Sequence, residues 1–119
     1  MQATDIRAFI PSKDYQHSKT FYTELGFSGV KVTDDLTLFE SDQCTFFLQR
    51  FYNKDLAENL MFQLIVLDIN QAFATANKSK YKIKITPIQQ EHWGKVFYLT
   101  GPAGELWHVT QLASPTENA

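Results

Sequence analysis

Hydrophobic and polar positions follow one another in the same order twice along this chain, about half its length apart. In the first copy, an apolar stretch over 4–10 ends at Pro11 and is followed by Asp14. From there, apolar residues recur every three or four positions as far as Gly26. This pattern predicts a strand and then a helix over about 15–25, with Asp14 as its N-cap and Gly26 as its C-terminal stop.

Three short segments that alternate or run apolar complete the first copy, over 29–33, 35–40 and 43–50. They are separated by polar pairs that contain aspartate, which are typical of turns, so they predict a meander of three strands. The polar stretch over 51–59 is predicted to be the linker to the second copy.

The second copy begins with an apolar stretch over 61–67, and Asp68 then precedes a helical pattern over about 69–78. Asp68 is the predicted N-cap of this helix. Further strands are predicted over 81–88, 95–100 and 105–112. The last two are joined by a turn rich in glycine and proline.

A repeat of this length that occurs only twice predicts two βαβββ modules rather than a solenoid, because solenoids need three or more units. We expect one domain with module one over about 4–50, a linker over about 51–59, module two over about 60–112 and a flexible tail over 113–119. Antiparallel strands covered by one helix per module define an α+β fold. The two modules are expected to form a curved mixed sheet around a cleft, because each sheet has one face that its helix leaves uncovered.

Charge and composition exclude several classes of function. The net charge of −2 gives no positive field for nucleic acid. No stretch approaches the roughly eighteen apolar residues of a membrane-spanning helix, and no signal pattern stands at the N-terminus. The only cysteine, Cys44, excludes an internal disulfide, so we expect a cytoplasmic protein in which Cys44 is a small buried side chain. The ten phenylalanines exceed what a small core needs and favour a pocket or a subunit interface.

Two motifs resemble those of a known family. Pro11-Ser12-Lys13-Asp14, the run from Ser18 to Tyr22, and Leu25-Gly26-Phe27 resemble the first-module signature of the vicinal oxygen chelate superfamily. This superfamily contains glyoxalase I, extradiol dioxygenases, fosfomycin-resistance enzymes and bleomycin-resistance proteins. The run from Gly94 to His108 is similar to its closing hairpin. The resemblance covers nearly the whole chain and implies the glyoxalase/bleomycin-resistance fold.

The resemblance also implies where a metal would be held. Enzymes of the superfamily bind one divalent metal through two histidines and two glutamates, from the first and last strand of each module. The corresponding positions here are Arg7, Gln49, Phe62 and His108. A guanidinium stays protonated, a phenyl ring has no donor atom and an amide is a poor ligand, so only His108 could bind. We therefore predict that the usual place holds no metal and that the protein has no cofactor.

The same positions predict a small-molecule pocket. Strand alternation predicts that six residues face the cleft: Arg7, Phe9, Phe47, Gln49, Phe62 and His108. Arg7 is predicted to hold a carboxylate or phosphate of the ligand, with polar groups beside it. Trp93, in the loop before the penultimate strand, is predicted to stack over the ligand. The alternative is that Arg7 pairs with a nearby acid such as Asp5 and that the histidine is a core residue.

These residues support three hypotheses. The first is a metal-independent small-molecule binding protein of the bleomycin-resistance type, which forms a homodimer. The second is an enzyme, either a lyase or dioxygenase with non-standard metal ligands or a metal-free enzyme with His108 or His92 as general base. The third is a structural or regulatory dimer whose cleft is filled by its own side chains.

Overall fold

The computed structural model describes residues 1–114, which form two α/β modules joined by a short helix. Module one contains β1 (Phe9–Pro11), α1 (Tyr15–Glu24), β2 (Ser28–Thr33), β3 (Leu36–Ser41) and β4 (Cys44–Gln49). Its strands are ordered β1-β4-β3-β2, with β1 parallel to β4 and the other pairs antiparallel.

Module two follows the connecting helix α2 (Lys54–Asn59) and repeats this plan. It contains β5 (Met61–Ile65), α3 (Ile69–Lys78), β6 (Lys84–Ile85), β7 (Gln89–Glu91), β8 (Gly94–Thr100) and β9 (Leu106–Leu112). Its strands are ordered β5-β9-β8-β6, and β7 also pairs with β8. As in module one, the first strand is parallel to the last, since β5 is parallel to β9. The predicted α+β fold of two repeated modules with mixed sheets is confirmed.

The predicted helix ends are also confirmed. The carboxylate of Asp14 accepts a hydrogen bond of 3.0 Å from the backbone N–H of His17 and caps α1. The carboxylate of Asp68 accepts from the N–H groups of Asn70 and Gln71, at 3.1 Å each, and caps α3. Gly26 follows α1 with a φ of +109°, a conformation that favours glycine and ends the helix.

The two modules share one hydrophobic core, in which α1 of module one meets β9 of module two. The ring of Tyr22 in α1 lies 4.9 Å from that of Phe46 in β4 and 5.9 Å from that of Trp107 in β9. All three side chains are at least 95% buried. Because both modules contribute to one buried cluster, neither can move independently without exposing aromatic surface.

Two predicted strands are shorter in the structure. The strand expected over 4–10 is β1, which starts at Phe9 and includes Pro11. A proline is tolerated there because β1 is an edge strand. In place of the strand expected over 81–88, the structure has the two-residue strand β6, and β7 follows it as a separate strand. Pro87 lies between these two strands and cannot donate to the ladder, and β8 pairs with them at separate places.

Three further expectations were wrong or lie outside the described residues. The stretch predicted as the linker stays a prediction as a domain boundary, and within it lies α2, because Asn53 caps a helical turn by accepting from the N–H of Leu56 at 2.9 Å. Cys44 is exposed rather than buried, since it begins β4 directly after a turn. Of the predicted tail, residues 115–119 lie outside the described part of the chain. Within residues 1–114, no helix is long and apolar enough to cross a membrane.

Candidate functional site

A groove runs between the two modules. It consists of two adjoining cavities of about 520 and 560 Å³, and five residues line both of them: Phe27, Cys44, Leu64, Ile65 and Trp107. We call this feature the inter-module groove. The first cavity extends toward the start of α3, and the second extends toward residues 5–8 at the N-terminus.

An aromatic wall forms one side of the groove. Phe62 in β5 and Trp107 in β9 are register partners in neighbouring strands. Their rings stack with centroids 4.8 Å apart and planes inclined by 28°. Trp107 is buried and Phe62 is partly exposed, so the pair presents mainly the Phe62 ring to the groove.

A buried chain of hydrogen bonds stands behind this wall. The indole N–H of Trp107 donates to the hydroxyl of Tyr22 at 3.1 Å. That hydroxyl donates to Oε2 of Glu105 at 2.5 Å. Tyr22 and Glu105 are fully buried, and burial is the main cause that raises the pKa of each. The Glu105 carboxylate adds to the increase in the pKa of Tyr22. Sequence reasoning missed both residues, although a glutamate directly after the glycine-rich turn was a visible signal.

Arg7 lines the groove at its N-terminal end. Its Nε atom lies 3.3 Å from Oδ2 of Asp5, and both side chains are about half exposed. Its guanidinium carbon lies 5.8 Å from the centre of the Phe47 ring. The pairing with Asp5 is the alternative that the sequence analysis described. An exposed pair of this kind contributes little stability, so a ligand anion can replace the aspartate.

Phe9, Phe47 and Gln49 lie beside the groove rather than in it. The rings of Phe9 and Phe47 stack with centroids 4.7 Å apart. They stand on the face of the first sheet that points away from α1, because their neighbours Phe46 and Leu48 are buried in the core. Half of the Phe9 side chain is exposed. These residues therefore form an aromatic patch on the outer face of module one.

The predicted orientation of β5 was wrong. Phe62 was expected to share a face with His108, but Gln63 is the register partner of His108 and Phe62 points with Trp107 toward the core. Successive strand residues point to opposite faces, so an error of one residue reverses the assignment. Gln63 also lines the second cavity of the groove, and the sequence pattern did not indicate it as a site residue. It donates weakly, at 3.5 Å, to Thr110.

His108 and the loop at 92–93 lie away from the groove. The Nε2 atom of His108 is buried and has no hydrogen-bond partner within residues 1–114, and its ring meets the Tyr98 ring edge-on at 4.8 Å. His92 lines a separate polar cavity of about 630 Å³ beside Gln111 and Leu112. The structure therefore brings Arg7 and Phe62 together, and leaves His108, His92 and Trp93 elsewhere.

The residues at the superfamily's metal positions do not fit a metal ion. Arg7 and Phe62 line the groove, whereas Gln49 and His108 do not. Among residues 1–114, no three side chains of the types histidine, cysteine, aspartate and glutamate lie close enough to hold an ion. Structural and catalytic zinc sites in proteins use at least three such ligands.

Comparison with solved structures finds the same architecture in a bleomycin resistance determinant and in antibiotic-binding proteins. A bleomycin resistance determinant encoded on the transposon Tn5 has a TM-score of 0.76 and 19% identity, covering 93% of this chain and 100% of its own. A bleomycin-binding protein complexed with bleomycin has a TM-score of 0.76 and 18% identity, with the same coverage. TnmS3, an antibiotic binding protein from a Streptomyces species, has a TM-score of 0.80 and 16% identity, covering 95% of this chain and 99% of its own.

Similarity at this level of identity shows a shared fold. A comparison with curated proteins found no match to the sequence. The family model for the Glyoxalase/Bleomycin resistance protein/Dioxygenase superfamily matches residues 6–109, which include both modules. The chain therefore belongs to the Glyoxalase/Bleomycin resistance protein/Dioxygenase superfamily.

Proposed function

We propose that this protein binds a small molecule in the inter-module groove and does so without a resident metal. The observation that carries the proposal is the groove itself, in which an aromatic wall of Phe62 and Trp107 and the guanidinium of Arg7 line one cavity. The cytoplasmic location expected from the single cysteine stays a prediction.

The size and lining of the groove support a ligand with a flat apolar body. Cavities of about 520 and 560 Å³ lie within the range of small-molecule pockets, which is roughly 300–1,000 Å³. Leu64, Ile65 and Phe27 add apolar surface between the two cavities. Burial of a planar ligand against these side chains would supply most of the binding free energy.

Arg7 supports an anionic group on that ligand. A guanidinium binds a carboxylate or phosphate through two parallel hydrogen bonds, which are stronger than neutral ones. The competing partner, Asp5, is itself about half exposed, so its pairing with Arg7 is screened by water. We therefore propose an aromatic or aliphatic carboxylate or phosphate as the ligand class.

The structural neighbours support binding rather than catalysis. Two of them are described as binding bleomycin or an antibiotic, which are small molecules. A metal-dependent lyase or dioxygenase finds no support in the side chains at the metal positions. A dimer with a filled cleft finds less support than binding does, since the groove is open.

We further propose that the protein is a homodimer. Each sheet has one face that no helix of its own module covers, and large apolar side chains are exposed there. Phe9 is 50% exposed on the first sheet, and Met61 is 63% exposed on the second. A second copy that covers these faces would remove apolar surface from water.

The proposed binding is tested by thermal shift with a library of aromatic and aliphatic carboxylates, including naphthalene-2-carboxylate. Wild type is compared with Arg7→Ala and with the control Arg50→Ala. Arg50 is a suitable control because it is another exposed arginine paired with an aspartate, and it lies outside the groove. We expect ligands that stabilise wild type and Arg50→Ala, with a smaller shift in Arg7→Ala. The loss of binding should reach about 2 kcal/mol for ligands that shield the ion pair from water. Equal stabilisation of all three proteins would show that Arg7 does not bind the anion.

A further inference from the structure

Trp107 is held from behind by groups that do not themselves reach the groove. Trp107 lines both cavities, whereas Tyr22 and Glu105 line neither. The indole N–H of Trp107 donates to the Tyr22 hydroxyl, and this hydroxyl donates to the Glu105 carboxyl group. The orientation of the aromatic wall is therefore linked to a carboxyl group two hydrogen bonds away.

The turn before β9 forms a close-fitting site for that carboxyl group. The backbone N–H of Ala103 donates to Oε1 of Glu105 at 2.9 Å. A Cβ atom at Gly101 would lie 2.6 Å from the Glu105 carboxyl carbon, so only glycine leaves room for it. With Tyr22 on one oxygen and Ala103 on the other, the carboxyl group has one defined position.

The hydrogen-bond partners of this carboxyl group are neutral donors. The groups that face it are the Tyr22 hydroxyl of α1 and the backbone N–H groups of Ala103, Gly104 and Glu105, which favour the ionised form but do not outweigh burial. Trp107 of β9 reaches it through Tyr22. Glu58 of α2 packs against Gly104 of the same turn and adds a second acid. No lysine, arginine or histidine within residues 1–114 forms an ion pair with Glu105. A fully buried carboxyl group in such a setting gains a proton more readily than an exposed one.

We infer that Glu105 and Tyr22 are positioning residues that fix Trp107 in the wall of the inter-module groove, and that the protonation of Glu105 alters this wall. The inference rests on the proposed function in so far as the wall contacts a ligand. An ionised carboxylate accepts a hydrogen bond about twice as strong as a neutral acceptor does. Loss of the Glu105 proton therefore strengthens its bond with Tyr22 and changes the environment of the indole.

The test uses the fluorescence of Trp107 without any ligand. Trp93→Phe leaves Trp107 as the only tryptophan, since the chain has two. In this background we expect the emission to change with pH in one transition with its midpoint above pH 4.5, because burial raises the pKa of Glu105 from that value. Adding Glu105→Gln should abolish the transition. Adding Glu58→Gln, the acid on the same turn, should leave it in place.

A second measurement separates this inference from the proposed function. Calorimetric titration with naphthalene-2-carboxylate should show affinity reduced about fivefold in Tyr22→Phe, which removes the hydrogen bond from Trp107. If naphthalene-2-carboxylate and the rest of the library fail to bind wild type, the proposed function is contradicted and the emission transition alone decides the positioning. A flat emission profile in the single-tryptophan protein, or a transition that persists in Glu105→Gln, would overturn the inference. Neither outcome depends on whether Tyr22→Phe folds.

Discussion

The hydroxyl of Tyr22 donates a hydrogen bond of 2.5 Å to the carboxyl group of Glu105, which lies 83 positions later in the chain. The bond joins α1 of module one to the start of β9 in module two, and both side chains are fully buried. A buried carboxyl group without a cation is costly when it is ionised. Burial therefore raises the pKa of Glu105, and we expect the contact between the modules to respond to pH.

The stability of the protein should carry a contribution from Glu105 that decreases as pH rises. Burial raises the pKa of this carboxyl above its usual value of 4.5, so the folded state binds the proton more tightly than the unfolded chain does. Its stabilising contribution is fully present below pH 4.5 and is lost as pH rises through the folded-state pKa. Urea denaturation of wild type and Glu105→Gln across pH 4 to 8 should give a difference in unfolding free energy that changes in this direction. The other carboxylates are the same in both proteins, so their contributions cancel in this difference. A difference that does not change with pH would contradict the prediction.

Purified protein should contain no stoichiometric transition metal. Arg7 and Phe62 cannot act as ligands, and among residues 1–114 no three potential ligands lie together. Elemental analysis of the protein expressed without a tag is the measurement. One Zn, Ni, Fe or Mn per chain that survives mild chelation would show that the ligands come from elsewhere.

The protein should sediment as a homodimer at micromolar concentration. The exposed apolar side chains on the outer faces of both sheets, among them Phe9 and Met61, favour burial against a second copy. Analytical ultracentrifugation should give twice the chain mass of 13.7 kDa. Replacing Phe9 and Met61 together with serine should shift the equilibrium toward monomer. A single monomeric species of the wild type across this concentration range would be inconsistent with the proposal.

Gly94→Ala should destabilise the protein far more than Gly26→Ala. Both glycines have positive φ, +151° at Gly94 and +109° at Gly26. An added Cβ at Gly94 would lie 2.3 Å from the backbone oxygen of Gln111, whereas at Gly26 it meets nothing within 4 Å. We expect a loss of roughly 3 kcal/mol or more at Gly94 and of about 1 kcal/mol at Gly26. Chemical denaturation measures the unfolding free energy of both variants. Equal losses would show that β9 can shift to make room for the added methyl group.

Local sequence signals determined the repeated elements. Asp14 and Asp68 cap the helices that they were predicted to cap, because a cap needs only the residues of the next turn. The strand-rich segments between them also fell near their predicted places, since alternation over a few residues is a local property. The duplication then predicted two modules. Together with the family motifs, it also predicted the superfamily.

The set of residues that line the groove depended on contacts between residues that are far apart in the sequence. The register of β5 against β9 places Gln63 beside His108 and Phe62 beside Trp107. Alternation along β5 alone does not fix this register, so the prediction that Phe62 shares a face with His108 was wrong. Arg7 lines the groove and His108 does not, although both positions were predicted to face one cleft. The hydrogen bond from Tyr22 to Glu105 depends on the same packing, because its partners are separated by most of the chain. Periodicity therefore determined the elements and their repetition, whereas the pairing of strands and modules decided which side chains share the groove.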